Sequence, residues 1–286
     1  MDKEQGIRII KDIFENPFDY EKYSSFSNNL LKHIETTPTT IQAGSRIPDA
    51  FKSYIRLMKR VGKYKDSQGN LIDILAVWLN KGTSLERART MQRNYIARYL
   101  DGSRGGNRKN AALTAFISPD ENDWRFSFIK MEYELGRTPT GKLTGVEKFT
   151  PAKRYSFIVG SNESSHTAQS QLMDILCKDD DPTMAEIENA FSIEKVTKEF
   201  FRKYQDLFAK LKTSLEDIVA KDGKIRENFA AQGVIIDDFA KKTLGQIVFL
   251  YFLQKKGWFG VGRDAKWGTG HKNFLRKLFN KEIAGY

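Results

Sequence analysis

Leu71-Ile72-Asp73-Ile74-Leu75-Ala76-Val77-Trp78-Leu79 is a run of strand length that is apolar at every position but one. An alternating pattern would mark a strand with one wet face. A nearly continuous apolar run marks a strand buried on both faces, as in a sheet with helices on each side. Ahead of it, Asp66-Ser67-Gln68-Gly69-Asn70 has turn chemistry, and residues 61–64 read as a short strand. Behind it, Lys81-Gly82-Thr83 ends the run, and Thr83 or Ser84 can cap a helix reaching about residue 100. Two further strands follow, over 111–117 and 124–133; in the second, Phe126, Phe128 and Met131 bracket polar positions at roughly period two. A loop or hairpin around 137–145 leads to another strand over 154–159.

Outward from this centre the chain reads as helical. Ile9, Ile10, Ile13 and Phe14 fall at helical spacing before Asn16-Pro17 breaks the pattern, and a second helix follows over about 20–34. Pro48 suits the first turn of a third helix carrying Phe51, Tyr54, Ile55 and Met58 on one face. Beyond Thr167 the pattern is helical again. Asp179-Asp180-Asp181-Pro182 is a polar break, and Val196, Phe200, Tyr204, Leu207, Phe208 and Leu211 then recur at steps of three and four. A last long helix covers about 239–255. The expected fold class is α/β (α+β): a small mixed sheet flanked by helices over residues 1–178, then a helical connector over 179–286.

Composition narrows the classes of function. The chain of 286 residues is 40% hydrophobic and 29% charged, which excludes intrinsic disorder, collagen and a pure coiled coil. The longest apolar run, 247–253, is too short to span a bilayer, and the N-terminus lacks the apolar stretch of a signal peptide, so no membrane association is expected. Cys177 is the single cysteine and forms no intramolecular disulfide, so the expected location is cytoplasmic. The net charge of +11 favours a polyanionic partner. It is concentrated in two windows: residues 81–109 hold eight basic residues against Glu86 and Asp101, and residues 241–281 hold ten against Asp264. Such windows suit nucleic-acid phosphates; the alternative is a solvated helix face. In the first, Arg87, Arg89, Arg93 and Arg98 are the candidate phosphate ligands, with Arg89 and Arg93 one helical turn apart. In the second they are Lys255, Lys256 and Lys272.

Several chemistries are absent from the sequence. It has no phosphate-binding P-loop, no G-x-G-x-x-G fingerprint and no G-x-S-x-G elbow, and its three histidines, His33, His166 and His271, lie far apart. A nuclease-like layout remains, in which carboxylates on adjacent strands hold Mg²⁺ and a lysine orients the attacking water. Asp73, inside an apolar run, is the candidate metal ligand; the alternative is a strand-end residue turned outward by alternation. Lys81 and Glu132 are the candidates to complete a catalytic set, and Gln92 can lean toward it from the following helix.

Several segments occur together, in order: SLERARTMQRNYIARYL (84–100), AALTAFISPDENDWRFSFIKMEYE (111–134), FTPAKRYSFIVGSNESSHTAQSQL (149–172), FSIEKVTKEFFRKYQDLF (191–208), IVFLYFLQKKGWFGV (247–261) and KWGTGHKNFLRKLF (266–279). In this order the chain resembles the N-terminal part of large bacterial type IIG-like restriction–modification proteins, which act in phage defence. The resemblance implies a PD-(D/E)xK nuclease-like core, a helical connector beginning near Phe191, and an adenine-specific DNA methyltransferase beyond. The glycine-rich and Asn-Pro-Pro-Tyr motifs of that methyltransferase do not occur here, so S-adenosylmethionine is expected only in the part that follows, and the chain is expected to be truncated before it. The family's carboxylate-x-lysine triplet falls near Ala76-Val77-Trp78, where both charged members are missing. The resemblance therefore implies a domain that binds or positions duplex DNA with a degenerate cleavage site, in partnership with its own methyltransferase and target-recognition domains. The alternatives are an active Mg²⁺-dependent endonuclease using Asp73 with Glu132 or Lys81, and a purely structural interdomain module.

Overall fold

A computed structural model of the chain describes residues 1–86, 88–102, 107–131, 133–137, 143–149, 152–265 and 267–283, with 133–137, 143–149 and 193–195 described by their backbone alone. The class is mixed α/β. Two compact units divide the chain, Met1–Ile193 and Glu194–Tyr286.

Unit 1 begins with α1 (Lys3–Phe14) and α2 (Tyr20–Leu31), whose N-caps Asp2 and Asp19 accept hydrogen bonds from the amides of Gln5 and Lys22. Its strands are β1 (Ile41–Ala43), β2 (Ile55–Lys65), β3 (Leu71–Leu79), β4 (Ala111–Ile117), β5 (Asp123–Lys130), β6 (Tyr133–Arg137), β7 (Leu143–Phe149) and β8 (Lys153–Gly160). They form a six-stranded sheet in the order β1-β2-β3-β4-β5-β8, while β6 and β7 pair separately. All neighbours in the large sheet are antiparallel except β3 and β4, which are parallel and joined by α3 (Arg89–Leu100). A parallel pair needs such a crossover. The helices α4 (His166–Cys177) and α5 (Met184–Ala190) complete the unit.

The apolar run 71–79 is β3, near the middle of the sheet and covered on both faces. Ile72, Ile74 and Ala76 face one core with α1, α2, α4 and α5, while Leu75, Val77 and Leu79 face a second core with Tyr95, Ile96 and Leu100 of α3. The first core holds a knot of aromatic rings: Phe126 lies 5.4 Å from Phe14 and 5.3 Å from Phe191 between ring centres.

Three expectations need correction. The third helix expected after Pro48 is a single 3₁₀ turn, Asp49–Phe51, and Ile55 and Met58 belong to the eleven-residue strand β2. Their spacing imitates a helical face, but pairing along all of β3 decides the conformation. The helix expected from Thr83 or Ser84 starts only at Arg89; its N-cap is Ala88, which makes no side-chain cap bond. The boundary expected at 178/179 lies instead at 193/194. The polar break at 179–182 is a turn within unit 1, because α5 beyond it buries Ile187 in the first core and Phe191 follows it there. Asp66 ties this segment down: it accepts hydrogen bonds from the amides of Gln68 and Asn70 in the β2–β3 turn and from the Met184 amide of α5 at 2.9 Å.

Unit 2 comprises α6 (Ile193–Lys221), α7 (Gly223–Ala231), α8 (Ile236–Lys255) and α9 (Phe274–Phe279). Lys212 and Asp237 tie α6 to α8 at 2.9 Å. After α8 the chain folds back tightly. The Gly270 amide donates to the Gly257 carbonyl at 2.9 Å, and a Cβ on Gly270 would sit 2.0 Å from the Phe259 carbonyl oxygen, so only glycine fits. Gln254 Oε1 accepts from the Leu275 amide at 2.6 Å and anchors α9. Among the described residues no helix is long and apolar enough to cross a membrane.

Candidate functional site

Alternation along the strands turns a polar row toward α3: Asp73 on β3, Thr114 on β4, Arg125 and Ser127 on β5, and Arg154 and Ser156 on β8. Thr114 pairs across the sheet with Ser127, and Ser127 with Ser156. Charge gathers at the two ends of α3. Arg89 and Tyr99 mark those ends, and ten residues of helix separate them by ~15 Å.

At the C-terminal end of α3 lies Asp73, 2% exposed. It is not turned outward, and among the described residues no cluster of carboxylates gathers around it. The Tyr99 hydroxyl donates to it, and Arg60 of β2 and Lys109, just before β4, each place a nitrogen 3.7 Å from Oδ2. Arg60 also donates to the Pro38 carbonyl at 2.7 Å, and the Lys109 ammonium sits 4.5 Å from the centre of the Tyr99 ring. Burial, then the Asp73 charge and hydrogen bond, hold the Tyr99 phenol above its ordinary pKa, so it remains a donor. Asp73 thus balances two cations and joins β2, β3, α3 and the approach to β4.

These surroundings do not fit Mg²⁺, which takes oxygen ligands. Among the described residues, the groups recorded at the carboxylate are two cations and a hydroxyl that donates to it. Among the described residues no three His, Cys, Asp or Glu side chains gather into a group suited to a metal ion. Lys81 does not reach Asp73. It is exposed just past the far end of β3, and the six residues from Asp73 to Leu79 alone span ~20 Å. Glu132 and Arg87 lie outside the described residues. The expected catalytic set is therefore not assembled from Asp73 and Lys81.

At the N-terminal end of α3 four arginines gather: Arg89 and Arg93, one helical turn apart on α3, Arg154 of β8, which meets the Arg89 carbonyl, and Arg125 of β5, which meets the Leu85 carbonyl just ahead of the helix. Arg125 is 3% exposed. It donates to Ser156 Oγ at 2.9 Å, to the Leu85 carbonyl at 3.2 Å and to Glu86 Oε1 at 2.9 Å. Arg154 donates to the Arg89 carbonyl at 2.8 Å. Arg89 lies 3.7 Å from the other Glu86 oxygen, and Arg93 rests on the Asn94 side chain. Burial lowers the Arg125 pKa, and Glu86 works against that shift. Arg154 is pushed down to about 10, first by burial and then by repulsion from Arg125, Arg89 and Arg93. The loop ahead of α3 is held from below: Asp120 accepts from the Gly82 amide, and Glu121 accepts from the Leu85 amide at 3.1 Å. With no side-chain cap and no acidic residue in its first turn, α3 presents an unneutralised positive end beside this cluster.

Comparison with protein-family models, with curated proteins and with solved structures finds no match to this chain. The site is therefore read from its own chemistry.

Five buried polar atoms on this sheet face and on α3 lack a hydrogen-bond partner among the described residues: Gln92 Oε1, Thr114 Oγ1, Ser127 Oγ, Arg125 Nε and Arg154 Nε. Gln92 does lean onto the sheet, donating to the same Leu85 carbonyl that Arg125 uses, but it sits with the arginines rather than with Asp73. Guanidinium forks are suited to oxyanions, which they grip with paired N–H donors. Of the basic residues expected on α3, Arg89 and Arg93 enter this cluster. Arg98, in the last turn, is half a turn round the helix from Arg89 and stands at the other end. Lys255, Lys256 and Lys272 are exposed on unit 2, around the turn after α8 and ahead of α9.

Arg125 and Arg154 are not among the residues the sequence singles out. A signal for Arg125 is nonetheless present in WRFSFI: a strand with both faces covered has no wet side, so an arginine alternating with aromatics must face a polar niche; Arg154, on the half-exposed edge strand β8, carries no such signal.

Proposed function

We propose that unit 1 is a nuclease-like domain that binds the phosphate backbone of duplex DNA through the arginine cluster at the start of α3. On this reading it is part of a restriction–modification protein whose adenine methyltransferase and target-recognition domains supply the modification chemistry and the sequence reading. Asp73 serves as a structural counter-ion rather than as a Mg²⁺ ligand. The observation that carries the reading is the convergence of Arg89 and Arg93 of α3 with Arg125 and Arg154 of the sheet at the start of that helix, with Glu86 as the carboxylate that meets Arg125 and Arg89. The resemblance of the ordered segments supplies the choice of duplex DNA among polyanions.

The test is fluorescence anisotropy of a labelled duplex over a salt series, with a parallel plasmid-nicking assay in Mg²⁺ or Mn²⁺. The expected result is binding that weakens steeply with salt. Arg89→Ala with Arg93→Ala should weaken it irrespective of sequence and lower the log–log salt slope by about 2, one for each phosphate no longer neutralised. No nicking is expected. Absence of binding at low salt, or an unchanged slope in the double variant, defeats the reading. Metal-dependent nicking abolished by Asp73→Asn would show that Asp73 is catalytic after all.

A further inference from the structure

The arginine cluster is already partly occupied, from within the chain. Glu86 sends one carboxylate oxygen to Arg125 at 2.9 Å and the other to within 3.7 Å of Arg89. A carboxylate bridging two guanidiniums through separate oxygens has the form in which a phosphate would be held, two oxygens on two forks. Its mounting differs from that of the arginines it neutralises. Arg125 belongs to β5 and is held there by its bond to Ser156 of β8, whereas the Glu86 side chain is half-exposed and belongs to the loop ahead of α3, whose Leu85 carbonyl Arg125 also meets. The deepest cation is set in the sheet, and the anion that meets it stands at the rim.

We propose that Glu86 is an internal counter-ion that a phosphate oxyanion displaces, so that the site opens by exchange of one anion for another. The proposal rests on the phosphate-binding reading above and adds its regulation. Two further observations point to a ligand. Among the described residues, with Glu86 in place, Arg125 and Arg154 each still leave a buried Nε without a partner, and the Thr114 and Ser127 hydroxyls, which can also donate, are unpaired on the same face. Unpaired polar atoms so gathered are costly unless water or a ligand meets them. The four arginines also repel one another, so withdrawal of Glu86 without replacement would leave that repulsion uncompensated. A phosphate brings more oxygens than Glu86 and can reach donors the carboxylate leaves idle. The consequence is a binding site whose apparent affinity is set below its intrinsic affinity by the cost of moving Glu86 aside.

The test uses the whole chain and two probes, a labelled duplex and inorganic phosphate. Glu86→Gln keeps the shape and removes the charge. It should tighten duplex binding ~3- to 10-fold. Glu4→Gln, a charge-matched change on the exposed face of α1, should alter it by less than about twofold. In the Arg154→Gln background the gain from Glu86→Gln should disappear, because the freed site then lacks one of its forks. Inorganic phosphate distinguishes the source of the oxyanion. A larger phosphate-induced rise in melting temperature in Glu86→Gln than in the wild type means that the opened site takes a free phosphate. A gain for the duplex alone means that it takes only a phosphodiester within a strand; both results support exchange. Affinity unchanged or weakened by Glu86→Gln, or raised equally by Glu4→Gln, overturns the proposal. If the wild type still binds and Arg89→Ala with Arg93→Ala still weakens it, the phosphate-binding reading survives that failure. If no variant binds DNA, both fall.

Discussion

Phe126 of β5 and Phe249 of α8 are both aromatic residues in the interior of a regular element, yet Phe126 is wholly buried while Phe249 is 59% exposed. The contrast extends to the units that hold them. Unit 1 sandwiches its sheet between helices and closes two cores. In unit 2, Ala240 is the one buried hydrophobic side chain among the described residues, and α8 exposes Ile247, Val248, Phe249, Leu250, Tyr251 and Phe252 in sequence. Six consecutive exposed apolar residues exceed what one face of an amphipathic helix presents, since a stripe facing a single neighbour recurs at three and four. The difference teaches that unit 1 meets its own packing requirement and unit 2 does not. The sheet domain encloses a polar niche beside a finished core, whereas the helical unit carries an unfinished surface.

The largest expected effect tests the finished half. Phe126→Ala removes a ring that packs on Phe14, Tyr23, Phe26, Trp124 and Phe191, and should destabilise unit 1 by ~3–5 kcal/mol in denaturant titration. A cost below about 1 kcal/mol would mean that this core is loosely packed in solution. Asp73→Ala comes close behind, at ~3–5 kcal/mol, because it leaves Arg60 and Lys109 buried without their shared counter-ion. If Asp73 were a metal ligand, the same variant would be tolerated or even stabilised without metal, since removing one of several crowded carboxylates relieves repulsion. Equilibrium unfolding in EDTA separates the two.

How far this is legible in the sequence follows from the range of the interactions involved. β3 is legible because a strand covered on both faces must be apolar throughout, a purely local signature. The turn at Asp66 is legible for the same reason. β2 misleads because Phe51, Tyr54, Ile55 and Met58 recur at helical steps, and only its pairing with β3, beyond the turn, overrides that pattern. Asp73 is visible as an anomaly, but its partners Arg60 and Lys109 come from β2 and from the approach to β4, and nothing in the spacing reveals that closure. The arginine cluster is half legible. Arg89 and Arg93 share a helical face that the sequence displays; Arg125 and Arg154 join them only through the register of β5 with β8.

A smaller effect concerns how α5 is tied into unit 1. Burial alone would raise the Asp66 pKa, but hydrogen bonds from the Asn70 side chain and from the amides of Met184, Asn70 and Gln68 outweigh it and hold the carboxyl below its ordinary value. Glu186 is pulled down to about 2, first by the Lys178 hydrogen bond and then by those from Thr183. Both carboxyl pKa values are lower in the folded state than in the unfolded chain. Their contribution is therefore complete above the unfolded values near 4 and is lost as pH falls toward about 2. The melting temperature of unit 1 should drop across that window, and Asp66→Asn should flatten the drop. An unchanged profile in the variant would place the acid sensitivity elsewhere.

The smallest expected effect is the sharpest test of the unfinished half. Phe249→Ala on α8 should change the stability of unit 2 by less than about 0.5 kcal/mol, as for other exposed positions, because the ring has little packed around it. The same substitution should reduce binding of a hydrophobic dye, since the ring belongs to a contiguous apolar patch of the kind that marks an interaction surface. A cost of several kcal/mol would show that Phe249 is covered in solution. Sedimentation across a concentration series would then distinguish self-association, in which the cost falls on dilution, from burial within one chain, in which it does not. A small cost together with a reduced dye signal would mean that α8 holds its helix by backbone and by its links to α6 and α9, and that its apolar surface stabilises nothing until something else packs against it.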